Sequence, residues 1–143
     1  MLLSTLEFTT ILDTKYLTIR HCPEEKLLWN EWRGVIPSQQ LRQAIIYDCN
    51  FILENDVELL LADYLNLSAP VVEDQVWVAR HSAPLLRKSR LRKVANLLAQ
   101  NIFQQLAVEN FYEKEAVLPR NCVRREFVSN NDALVWLLSS YSG

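Results

Sequence analysis

The chain predicts an α/β domain of mixed type: an N-terminal antiparallel meander continuing into a mixed sheet with about four helices packed on it. Three observations predict it. An aromatic-rich strand pattern, Lys26-Leu27-Leu28-Trp29-Asn30-Glu31-Trp32-Arg33-Gly34, runs through Gly34 and Pro37 into an amphipathic helix. Two short and almost unbroken apolar runs, Val57–Asp63 and Lys93–Leu98, have the pattern of central strands covered on both faces. Segments with helical spacing of apolar residues lie between and after them.

Taken in order, Leu6–Leu12 and Tyr16–His21 read as strands rich in Thr, Ile and Leu, joined by a turn at Asp13-Thr14-Lys15. A second turn at Pro23-Glu24-Glu25 leads into Lys26–Gly34 and completes a three-stranded meander. Trp29 and Trp32 are three apart on that strand, so they face opposite sides of the sheet, and one of them is placed to meet a ligand or partner. Ser38, after Pro37, is the expected N-cap of the first helix. Leu41, Ile45, Cys49 and Ile52 form its core stripe, with Ala44 and Leu53 beside them, and Asn55-Asp56 ends it.

Asp63-Tyr64-Leu65-Asn66-Leu67-Ser68-Ala69-Pro70 is expected as a loop before a second helix, Val72–Arg90, with a kink or break at Pro84. A third helix is expected over Ile102–Ala116, its apolar face made of Ile102, Phe103, Leu106, Ala107 and Phe111. A short strand, Arg124–Val128, and a last helix, Asn131–Ser140, capped by Ser129 or Asn130, complete the pattern. Leu59–Ala62 and Val94–Leu98 are the expected neighbouring interior strands, with right-handed crossovers between parallel strands.

At 143 residues, half of them apolar, one domain is expected, since a domain of about 150 residues hides roughly 70% of its unfolded surface. A net charge of -2 argues against a nucleic-acid binder, because phosphate neutralisation needs a basic excess. Charge is uneven along the chain: residues 1–70 carry a net -5 and residues 71–143 a net +3, an asymmetry able to guide two copies together. The start of the sequence lacks the pattern of a secretory signal, and no apolar run approaches the roughly 20 residues that span a bilayer. Three widely spaced cysteines suit a reducing compartment, and a cytoplasmic location is the expectation.

No chemistry-bearing constellation stands out. His21 with Cys22, or His81 with Cys49 or Cys122, lacks the spacing of a metal or thiol site, and no Gly-x-Ser-x-Gly elbow occurs. No catalytic residue, cofactor or metal is predicted. Ser68 reads either as a phospho-switch or as a helix cap, and Asp63 as a ligand-facing carboxylate at a strand end or as a turn former. Arg87-Lys88-Ser89-Arg90-Leu91-Arg92-Lys93 concentrates five positive charges and reads as a solvated helix C-terminus, with a nucleic-acid or anionic-lipid patch as the alternative.

The strand Leu28–Gly34 entering a helix, the strand ending Leu60-Leu61-Ala62-Asp63, the helix bearing Trp77 and Pro84, the segment Ala107–Phe111 and the terminal Asn131–Leu137 occur here in one order. That order resembles the STAS-like fold of the SpoIIAA family of anti-sigma-factor antagonists, and more closely the small bacterial single-domain proteins of uncharacterised function grouped near it. In regulatory members of that fold, the loop after the strand matching Leu59–Asp63 carries a phosphorylatable Ser in an Asp-Ser-Ser-Gly-like setting. Here that loop has no such tetrapeptide, and Ser68 is its nearest counterpart.

The resemblance implies a non-catalytic regulatory or interaction domain with a protein partner, a homodimer being one form of it. Asp63, Tyr64, Asn66 and Ser68 make up the candidate interaction loop, and Trp32 and Trp77 are the candidate interface aromatics. The alternative is a small apolar ligand or lipid carrier, as in SEC14-like domains of related arrangement. An enzyme using Asp63, Ser68 and His81 or His21 ranks last, since it needs those groups within about 3 Å of each other or of one substrate atom.

Overall fold

A computed structural model describes residues 5–99, 101–113 and 117–140. Six strands form one sheet in sequential order: β1 (Thr9–Asp13), β2 (Leu17–Cys22), β3 (Leu27–Gly34), β4 (Leu59–Leu67), β5 (Lys93–Leu97) and β6 (Val123–Phe127). The first three pair antiparallel and the rest run parallel to β3. The meander closes through Thr14, whose hydroxyl accepts from Leu17 N at 3.0 Å and donates to Leu17 O at 3.1 Å.

Helices α1 (Ser38–Glu54), α2 (Val72–Leu86) and α3 (Ile102–Glu113) make the three parallel crossovers, and α4 (Asn130–Leu138) follows β6. Strands laid down in one direction by crossovers of one hand put their helices on one face. Accordingly α1 packs on α2 and α2 on α3, while α4 alone covers β4, β5 and β6 from the other side. Two cores result. Leu28, Trp32, Leu60, Ala62 and Val94 face α1–α3; Leu27, Leu59, Leu61, Ala95 and Leu97 face Ala133, Leu134, Trp136 and Leu137 of α4. The apolar runs are therefore central strands covered on both faces, with Leu59–Asp63 paired to Lys93–Leu97.

Several expectations need correction. The first strand starts at Thr9, and Leu6 instead packs against the α4-side core. The expected loop at Asp63–Pro70 is strand as far as Leu67, because the far end of β3 keeps its backbone paired: Glu31 meets Asp63 and, past a bulge, Arg33 meets Asn66. Ser38 is not a cap. Pro37 occupies the N-cap, and the Ser38 hydroxyl donates to Asp74 Oδ2 on α2 at 2.6 Å.

The second helix stops at Leu86, two residues past Pro84, with Ser89 Oγ donating to Leu86 O and Arg87 Nε to Ala83 O. The basic run therefore begins at the C-cap of α2, Arg87, and its later members lie beyond the helix. Arg90 pairs with Asp56, Arg92 with Glu58, and Lys93 is buried in β5. On α3, Leu106 is half exposed while Ala107 and Val108 are buried. The expected final residues of that helix, 114–116, and the side chains of Ile102 and Phe103 lie outside the described residues. Ser129 caps α4, its hydroxyl accepting from Asp132 N.

Candidate functional site

The strand extension separates the candidate loop residues. Asp63 alternates with Ala62 and Tyr64, so it turns to the α4 side, where it is buried near Trp29. Burial raises its carboxyl pKa; the Leu65 backbone N–H, which it accepts at 3.1 Å, and Trp29 act against that rise. Tyr64 turns the other way, toward α1–α3. Asn66 and Ser68 are exposed, and Ser68 lies four residues before α2, held by its backbone N–H to Gly34 O. Asp63 and Tyr64 thus point to opposite faces of the sheet.

Trp32, a candidate interface aromatic, is 4% exposed in the α1–α3 core, because it shares a face with Leu28 and Asn30. Its ring leaves no face for a partner. Trp77 is half-buried on α2, stacked on His81 at 4.0 Å with the Arg42 guanidinium 5.0 Å from its ring centre. Trp29 points to the α4 side, edge-on to Phe8.

The histidines and cysteines do not converge. His21 packs edge-on against Phe51, while Cys22 sits in the opposite core. His81 Nδ1 lies 3.0 Å from Trp77 O. Burial pushes the Cys49 thiol up to about 12, helped by neighbouring Asp48, and the Cys122 thiol up to about 11; neither is a thiolate at neutral pH. Among the described residues, no group of three or more His, Cys, Asp or Glu could hold a metal ion.

What the fold does assemble is a pocket of about 110 Å³ between the sheet and α1–α3. Its walls are apolar, from Leu41, Ile52, Leu60, Ala62, Val78 and Phe111 among others. Polar side chains also line it: Asn30 from β3, Tyr64 from β4, Asp48 from α1, and Gln75 and Ser82 from α2. Asn30 Nδ2 donates to Asp48 Oδ2, and Gln75 Nε2 donates to Pro70 O at 2.7 Å. Asn30 Oδ1, Asp48 Oδ1, Gln75 Oε1 and Ser82 Oγ are buried without a hydrogen-bond partner. Burial raises the Asp48 carboxyl from 3.8 to about 7, the Asn30 hydrogen bond acting against that rise.

Sequence reasoning missed this set, although a signal was present. Asp48 falls on the stripe of Leu41, Ile45 and Ile52; Asn30 alternates with Leu28 and Trp32; Gln75 and Ser82 flank Val78 on one helix face. Polar side chains on core-facing positions are the informative exceptions to burial.

No family model and no curated protein matches the chain. In solved structures, it is similar to the crystal structure of an uncharacterised protein of the DUF3478 family with a SpoIIAA-like fold from Shewanella loihica PV-4. The TM-score is 0.53 at 14% sequence identity, over 92% of this chain and 93% of that one. Its mixed six-stranded sheet with four helices and this neighbour agree: the chain has a SpoIIAA-like fold.

Proposed function

We propose that this is a non-catalytic binding domain that holds a small, largely apolar molecule between its sheet and α1–α3. The observation that carries this reading is the pocket, where apolar walls surround four buried oxygen atoms with no partner of their own. Leaving such an atom unpaired costs about 1–3 kcal/mol, and a bound molecule that pairs with it recovers part of that cost. The candidate enzyme groups have different neighbours: Asp63 accepts from Leu65 N, His81 stacks on Trp77, His21 packs on Phe51, and Ser68 is held by its backbone N–H to Gly34 O. Screening the full chain against a library of small apolar fragments by ligand-observed NMR tests the reading. Binders that are lost in Ala62→Phe, which fills the pocket, support it; a library that yields no binder, or binders indifferent to Ala62→Phe, removes it.

A second reading, a regulatory module acting through contact with another copy, is favoured by a separate observation. Val35, Val71 and Val72 are 77%, 64% and 62% exposed at the segments leading into α1 and α2. Ser68, exposed close by in sequence, is the hydroxyl such a module would offer for phosphorylation. Sedimentation velocity tests it: a dimer that Val71→Asp with Val72→Lys dissociates supports it, and a monomer at every accessible concentration rejects it.

A further inference from the structure

Resting on the pocket-binding reading above, we propose that the pocket selects small apolar molecules that end in a hydrogen-bond-donating cation, an amine, over those that end in a carboxylate or phosphate. The unpartnered atoms are oxygens, and the network fixes which ends of the amides face inward. The Asn30 amide group donates through Nδ2 to the Asp48 carboxyl, which leaves its Oδ1 as the open end. Gln75 donates through Nε2 to Pro70 O, which leaves its Oε1. With Asp48 Oδ1, an acceptor once the carboxyl is ionised, these make three oxygen acceptors, and Ser82 Oγ adds a hydroxyl that both donates and accepts.

Charge points the same way. Asp48 is the one carboxyl among the described lining residues, and no Lys, Arg or His is among them. An anion placed there would face oxygen lone pairs and a buried acid with no basic group to neutralise it, which a low-dielectric site penalises heavily. An ammonium group brings the N–H donors these oxygens lack, and its bond to a carboxylate is of the stronger, charge-assisted kind. Asp48, Asn30 and Ser82 are each more than nine-tenths buried, so these are interior groups and no part of the solvated surface. At about 110 Å³ the pocket is smaller than the apolar cavity of about 150 Å³ that takes up benzene, which limits the probes to single-ring molecules.

Isothermal titration of the full chain with benzylamine, benzyl alcohol and benzoate, on wild type and Asp48→Asn, tests this. Wild type is expected to bind benzylamine at least about 10-fold more tightly than benzoate, and Asp48→Asn to lose that preference while still binding benzyl alcohol. Benzyl alcohol bound with no preference for the amine over the acid overturns the inference and leaves the pocket reading standing. Failure of all three probes overturns both. If Asp48→Asn does not fold, the ¹³Cγ resonance of Asp48 in wild type decides: a shift to the carboxylate position on adding benzylamine supports the inference, and an unmoved resonance refutes it.

Discussion

Asn30 on β3 and Asp48 on α1, 18 residues apart in sequence, meet inside the domain through a hydrogen bond from Asn30 Nδ2 to Asp48 Oδ2. The pair joins the parallel part of the sheet to its first crossover helix, and it sets an acid in the wall of the pocket. Its cost is electrostatic. A fully buried carboxyl resists ionisation, which is why its pKa stands near 7.

That shift makes stability depend on pH in a stated direction. Between about pH 4 and pH 7 the folded state holds a proton on Asp48 that the unfolded chain has given up, so stability falls as pH rises through this window and levels off above it. A three-unit shift corresponds to roughly 4 kcal/mol. Denaturant melts at several pH values, read as the difference between wild type and Asp48→Asn, should show the variant gaining on wild type as pH rises from 4 to 7. A constant difference would refute the assignment.

Trp32 and Trp77 should separate cleanly as core and surface. Trp32→Ala removes a buried indole and should cost about 3–5 kcal/mol of folding stability. Trp77→Ala loses a stacked histidine and a cation–π contact on a half-buried ring and should cost about 1 kcal/mol. Urea unfolding of both variants checks the order.

Lys93 is a charge in the interior with its partners in place. Its Nζ donates to Trp136 O at 2.9 Å, Ser139 O at 2.8 Å and Ser139 Oγ at 3.2 Å, so a strand residue supplies donors to the carbonyls at the end of α4. Lys93→Met keeps the length of the side chain and leaves those carbonyls without that donor. The expected loss is about 1–3 kcal/mol, with amide hydrogen exchange speeding up first in the last turn of α4.

Asp74 ties the start of α2 to α1, accepting from Ser38 Oγ at 2.6 Å and from Arg42 Nη2 at 3.2 Å. Its side chain is nearly buried, whereas that of Arg42 is partly exposed. Ser38→Ala should therefore cost about 1 kcal/mol and Asp74→Ala about 2 kcal/mol, because the second change removes the Ser38 bond together with both Arg42 bonds. Thermal melts of the two single variants and the double variant should show less than additive loss, as residues sharing one network do.

The parts legible in the sequence were those decided by local periodicity. The apolar runs Leu59–Asp63 and Lys93–Leu97 have the pattern of covered strands, and the stripe through Leu41, Cys49 and Ile52 that of a helix face laid on them. Positions whose fate depends on a distant partner were read less well. Asp63–Leu67 looks like a loop until β3 is placed beside it, and Lys93 looks like a solvated cation until the end of α4 arrives over it.

By itself, then, the order of hydrophobic segments determined the mixed α/β class, the meander and the succession of helices, because solvent exclusion acts on patterns within a few turns of chain. The tertiary structure alone decided that the residues of one expected loop point to opposite faces, that Trp32 is interior, and that Asn30, Asp48, Gln75 and Ser82 line one pocket. Those outcomes depend on strand register and on which helix covers which face, and both are set by contacts between residues far apart in sequence.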